Sequence, residues 1–218
     1  MLQLSQIAPE FLARVRENVG GFAWWYVDVT TETGDALVLI WSEGLPFLAG
    51  SRDARSSVER GAVSLALYRE GQTEFYLLEE APLQIDDVDG NASAGKSRFV
   101  VRRNAKSLSV HVELDLVVPG SDERLTGRVR LRGAPFDVAL PSAETEHSWT
   151  PRLLSARAEV DLRMGERSWI LQGNGYFDGN ASTRPLTRQG IDAWYWGRVA
   201  FGSNRSVVFY DWTPAGEA

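Results

Sequence analysis

The sequence contains no cysteine. That excludes disulfides, thiolate metal sites and a cysteine nucleophile, and it leaves the redox compartment open. Histidine is nearly as scarce. The only two, His111 and His147, show no H-E-x-x-H or other short ligand spacing, so no metal centre is expected. There is no G-x-S-x-G for a serine hydrolase. The glycines of "GNGYFDG" do not fit G-x-G-x-x-G, and no parallel βαβ unit surrounds them. Basic residues are the minority, 23 Lys and Arg against 29 Asp and Glu, for a net charge of −6. The arginines are interleaved with acids rather than massed, so nucleic-acid binding is not expected. No apolar run approaches the roughly 18 residues of a membrane span. The opening "MLQLSQIAPEFLARVRENVGG" has neither the basic nor the apolar region of a secretory leader. The expected setting is cytoplasmic, with contact at a membrane surface left open.

What is present points to a β protein. The 218 residues fit one large domain or two small ones, and 44% hydrophobic content is ample for a core. Residues 4–18 read as a short amphipathic helix, with Leu4, Ile7, Phe11 and Val15 at three- and four-residue steps. Pro9 allows the helix to begin there, and Gly20-Gly21 ends it. Beyond that, period-2 alternation dominates. In "LSVHVELDL" (108–116) the apolar residues share one face, while His111, Glu113 and Asp115 share the other. "LTGRVRLRG" (125–133) and "SARAEVDLRM" (155–164) repeat the pattern. "AVSLALY" and "EFYLLEE" flank the hairpin turn "REGQT", and "GER" makes a second turn. "DVDGNASAG" reads as a loop. About ten to twelve short strands and one helix predict an antiparallel sandwich or barrel.

Tryptophan is abundant, eight in 218 residues, and clustered: Trp24-Trp25, Trp149, and Trp194 with Trp196. Neighbours in a strand point to opposite faces, so only one of Trp24 and Trp25 can line a given interior. Taken singly, each tryptophan reads equally well as core filler. The strand that begins at "SWIL" puts Ile170, Gln172, Asn174, Tyr176 and Asp178 on one face. "HSWTP" does the same for His147 and Trp149. An acid among aromatics is a candidate site, although an Asp before Gly-Asn also suits a turn.

With these segments in hand, the chain resembles the carotenoid 1,2-hydratases (hydroxyneurosporene synthases) of a lipocalin-like superfamily. The likeness runs over about residues 20–212. It rests on "GGFAWWYVDVTTETGDALVLIW", "AVSLALY…EFYLLEE", "HSWTP", "ARAEVDL", "GYFDGN", "W.WGR" and "VVFYDW" in that order. The resemblance implies an all-β, antiparallel lipocalin-like barrel or sandwich with a short N-terminal helix and an incomplete second barrel-like half. Family members continue beyond the "VVFYD" segment, and "WSEGLPFLAGS" departs from their Ser-Pro-Tyr-Tyr wording. The expected layout is a helix over 1–20, a β domain over 21–145 and continuing strands over 146–218 that carry the acid site. A single domain over 21–218 is the alternative.

The resemblance also implies addition of water to a terminal alkene of an acyclic carotenoid or isoprenoid, with no cofactor. It assigns the catalytic set to His147, Trp149, Tyr176 and Asp178, and Trp24, Trp25, Trp194 and Trp196 are the candidate substrate contacts. Protonating such an alkene at neutral pH needs a carboxyl raised by about three pH units, which burial among aromatics can supply. The aromatic faces would steady the resulting cation, and His147 would handle the water's proton. Two other readings remain open: a cofactor-free cyclase or pericyclase of the same superfamily, and a non-catalytic binder of hydrophobic ligands.

Overall fold

The computed structural model of the chain describes residues 9–46, 60–86, 91–137, 145–201 and 205–214. Residues 4–8 of the predicted helix lie outside these, as do residues 87–90 of the predicted loop. One helix, α1 (Pro9–Glu17), precedes the strands β1 (Phe22–Thr30), β2 (Ala36–Glu43), β3 (Gly61–Arg69), β4 (Gln72–Glu80) and β5 (Leu83–Asp86). There follow β6 (Asn91–Ala94), β7 (Ser97–Arg103), β8 (Leu108–Val117), β9 (Arg124–Gly133), β10 (His147–Met164) and β11 (Arg167–Ser182). A 3-10 turn (Leu186–Arg188) leads to β12 (Ile191–Phe201) and β13 (Arg205–Pro214). The architecture is all-β and antiparallel, as the alternation predicts. The expected loop at "DVDGNASAG" is partly strand, because Asn91–Ala94 pair with β5 and β7.

Eleven strands form one sheet in the order β4-β3-β2-β1-β11-β10-β9-β8-β7-β6-β5. Each half is a meander of chain neighbours, and the two meanders meet where β1 pairs with β11. Strands from both sides of residue 145 therefore share one sheet. The two outermost strands, β4 and β5, are joined by only two residues, 81 and 82, a link that reaches roughly 10 Å. The sheet must therefore curl until its edges come close. Contacts across the curl agree: the Val117 amide of β8 donates to Glu79 of β4 at 2.7 Å. The Trp41 and Phe99 rings sit 5.6 Å apart, and Phe99 and Phe177 5.8 Å.

The concave face holds the core. Leu108, Val110, Val112, Leu114 and Leu116 of β8 enter it with Leu125, Val129 and Leu131 of β9 and Ala156, Ala158, Val160 and Leu162 of β10. Phe11, Leu12 and Val15 of α1 join this cluster, and Arg16 anchors the helix to buried Glu43 at 2.7 Å. The hairpin β12–β13 pairs only with itself among the described strands. It lies on the opposite, convex face, over β1, β11 and β10, with Trp194, Trp196, Arg198 and Tyr210 turned toward the sheet. This is why β1 is buried on both faces and shows little polar alternation.

Gly175 sits in close contact with the inner wall. A Cβ there would lie 2.8 Å from the Leu131 side chain and 2.9 Å from Ala158 Cβ. Gly175→Val should therefore lower stability by about 1–3 kcal/mol through overpacking, despite valine's strand preference. The check is a lower urea midpoint with an unchanged denaturant slope.

Candidate active site

The site is built on the convex face by three adjacent strands. In the β1–β11 register Trp24 stands opposite Asn180, Tyr26 opposite Asp178, and Asp28 opposite Tyr176. On the other flank β10 sets His147 opposite Ser182, Trp149 opposite Asn180 and Pro151 opposite Asp178. Directly paired residues share a face, so all of these side chains converge. Two register shifts follow in β10, between Pro151 and Leu153 and between Leu153 and Ala156. They bend the strand where it leaves the site and enters the core wall.

Asp178 is the centre, 4% exposed, beside a fully buried Tyr176. Its Oδ2 accepts two hydrogen bonds, from Trp149 Nε1 and from the Tyr176 hydroxyl, each at 2.7 Å. Both lone pairs of that oxygen are thereby used. Among the described residues no hydrogen bond reaches Oδ1, so the acid proton belongs there. Burial pushes the Asp178 carboxyl up to about 7; the Trp149 and Tyr176 hydrogen bonds pull against it, and the charge of Asp28 adds to the rise. The Tyr176 phenol is raised far above its usual value by burial, then by the Asp178 charge. It stays protonated and remains a donor.

His147 Nε2 lies 2.7 Å from Asn180 Oδ1. Burial lowers its pKa, with the hydrogen bond to Asn180 opposing. The imidazole is therefore neutral at pH 7, and with Nε2–H donating to Asn180 its Nδ1 is an acceptor. A cavity of about 350 Å³ opens beside His147 and Trp149, with Gln189, Ile191, Tyr210 and Trp212 on its other walls.

The hairpin supplies an aromatic roof. Trp196 packs on Tyr26 at 5.1 Å and on Tyr176 at 5.4 Å. Trp194 meets Trp24 at 6.4 Å and Tyr210 at 6.3 Å, and Tyr210 stacks on Trp149 at 5.3 Å. Of the residues singled out in the sequence, His147, Trp149, Tyr176 and Asp178 come together, with Trp24, Trp194 and Trp196 around them. Trp25 does not join them. It points into the concave core, 2% exposed. Tyr26, Asp28, Arg198 and Tyr210 are not among the sequence candidates, and Gly179 and Asn180, which read as turn residues, lie within β11 because both its neighbours pair with them. Tyr26 and Asp28 share parity with Trp24, and Arg198 with Trp194 and Trp196, so the signal was present. No described helix is long and apolar enough to cross a membrane.

The fold and site define a lipocalin-like β protein with an aromatic-walled carboxyl. An AttH-like protein of known structure from Nitrosomonas europaea shares the fold, with TM-score 0.56 and 13% identity over 89% of this chain and 61% of that one. Residues 44–217 match the family described as Carotenoid hydratase CrtC, and the chain belongs to that family. It is 26% identical over 210 residues to an acyclic carotenoid 1,2-hydratase of Thiocapsa roseopersicina, covering 92% of this chain and 49% of that protein. A 67-residue stretch is 43% identical to the enzyme of the same name from Rhodobacter capsulatus, covering 31% of this chain and 22% of that protein. The chain thus spans about half the length of the Thiocapsa relative.

The raised carboxyl has a thermodynamic signature. Unfolded, Asp178 ionises near 3.8; folded, it holds its proton to about 7. Below about pH 4 both states are protonated. Between about 4 and 7 only the unfolded state loses the proton, so stability falls as pH rises, and above 7 the loss is complete. At about 1.4 kcal/mol per pH unit the window is worth about 4 kcal/mol. Asp178→Asn keeps an acceptor oxygen but cannot ionise. Its stability relative to wild type should improve from about pH 4.5 to about 7 and then level off, read by thermal unfolding across that range.

Proposed function

We propose that this site performs carotenoid 1,2-hydratase-like chemistry, adding water across a terminal alkene of an acyclic carotenoid or related isoprenoid. The observation that carries the reading is the single carboxyl with two neutral donors on one oxygen, inside an aromatic enclosure. Family membership and the names of the relatives support it.

In this mechanism Asp178 gives the proton on Oδ1 to the less substituted alkene carbon, forming a C–H bond and leaving a tertiary cation. As the proton departs, the carboxylate's negative charge strengthens the bonds from Trp149 and Tyr176, because hydrogen bonds to an ionised acceptor are stronger. They therefore favour the transition state over the ground state. The faces of Trp149, Tyr176 and Trp196 stabilise the cation, at roughly 0.5–2 kcal/mol per ring contact. A water beside His147 closes the C–O bond and passes its proton to Nδ1. Returning that proton to Asp178 resets the site. The net change is one water added, with no electron transfer and hence no redox cofactor required.

The protein incubated with an acyclic carotene such as lycopene in detergent should give a product heavier by one water. Asp178→Asn should cut the rate by about 100-fold or more, and the wild-type rate should fall as pH rises past about 7, where Asp178 loses its proton. Tight carotene binding without product would instead identify a binder. A pericyclic reaction would survive Asp178→Asn largely intact.

A further inference from the structure

Arg198 is a buried cation at the edge of the aromatic roof, and the mechanism above does not use it. Its guanidinium donates to Asp28 on β1 and to the Asn174 side chain on β11. It also reaches Thr30 Oγ1 at 3.2 Å and the Asn174 carbonyl at 3.3 Å. The side chains of Arg198 and Asp28 are 4% and 7% exposed. Burial raises the Asp28 carboxyl and the Arg198 charge pulls it back down, and the Arg198 guanidinium lies 5.9 Å from the centre of the Tyr176 ring. Asp28 stands directly across the ladder from Tyr176, the residue that binds Asp178.

We propose that Arg198 and Asp28 are positioning residues of the acid site, an ion pair that fixes the β12–β13 hairpin over Asp178 and keeps the Arg198 cation from acting alone on its carboxyl. The inference rests on reading Asp178 as the proton donor. An arginine keeps its charge even when buried, so a cation this enclosed requires a counter-ion, and Asp28 is the carboxylate that its guanidinium contacts. Were the cation left alone beside Tyr176, it would favour the Asp178 carboxylate and remove the proton the reaction needs. The other titratable groups around the patch are Tyr26 on β1, His147 on β10, Tyr176 on β11 and Tyr210 on β13. All are uncharged at neutral pH, through burial or their ordinary ionisation range. The Glu146–Arg184 pair at the cavity rim is about half exposed and screened by water.

The test needs no substrate. The Trp149 indole N–H binds Asp178 Oδ2, so its NMR peak, assigned by loss in Trp149→Phe, reports that carboxyl's protonation. In wild type the peak should titrate near pH 7. Asp28→Asn removes the anion and strands the cation, so the midpoint should drop by about one pH unit or more. Asp28→Asn with Arg198→Gln removes both charges and should restore the midpoint to within about half a unit. Arg198→Lys keeps the charge and should leave the midpoint near wild type. A folded Asp28→Asn variant with an unmoved midpoint overturns the proposal, as does a double variant displaced as far as the single one. If the variants do not fold, the wild-type carboxyl carbons decide: Asp28 should take up its proton at a lower pH than Asp178, and an Asp28 that is protonated before Asp178 as the pH falls overturns the pair. Expected midpoints without any hydration product would sink the hydratase reading and leave the ion pair standing.

Discussion

The ladder between β1 and β11 is the constraint on which both the fold and the site depend. It joins the two meanders into one sheet, and its register runs from Phe22 opposite Ser182 to Thr30 opposite Asn174. Side chains alternate strictly along a strand, so that register assigns every residue to a face. Val27, Val29 and Phe177 go to the concave core, and Tyr26, Asp28, Tyr176 and Asp178 go to the convex side. A slip of one residue would drive Asp178 into hydrocarbon and expose Phe177. The apolar core therefore enforces the placement of the acid. Its stabilisation, a few kcal/mol for each large buried side chain, far exceeds anything the polar patch could impose.

The roof solves a second problem. A convex sheet face is ordinarily wet, and a wet Asp178 would ionise near its ordinary value. The β12–β13 hairpin covers it without any backbone ladder to the main sheet among the described strands. A two-stranded hairpin is marginal alone, so side chains must hold it down. Trp194, Trp196 and Tyr210 do so by ring contacts, Ser206 by donating to the Leu154 carbonyl, and Arg198 by its ion pair. The residues that attach the roof are therefore the same ones that exclude water from the carboxyl.

Much of this was legible in the chain. The strands at 108–116 and 125–133 were clear because one face of each is wet and the other dry. The pairing of Tyr176 with Asp178, and of His147 with Trp149, followed from parity alone. β10 was not legible as one strand. Pro151, Arg152 and two register shifts interrupt its alternation, so "HSWTP" and "SARAEVDLRM" look like separate segments. β1 failed for the opposite reason. With both faces buried, "FAWWYV" shows no wet side, and parity separates Trp24 from Trp25 without saying which faces the core. The Arg198–Asp28 contact joins residues 170 positions apart, and no local pattern encodes such a distance.

The choice of partners for Asp178 completes the physical logic. A buried carboxyl needs hydrogen bonds, since leaving it bare costs several kcal/mol. A lysine or arginine would satisfy it best, but an adjacent cation lowers a carboxyl's pKa by roughly 1–3 units, which would leave a carboxylate at neutral pH. Tryptophan and tyrosine donate without carrying charge, so they solvate both forms of the acid and abolish neither. The enclosed cation Arg198 is directed instead at Asp28, two residues beyond Tyr26 on the same face. Two carboxyls on one face of the same sheet thus differ in their partners: Asp28 meets a guanidinium that pulls its pKa down against the rise from burial, and Asp178 meets only neutral donors and is raised to about 7. Division of labour between acids follows from which one meets the guanidinium, and the β1–β11 register decides that.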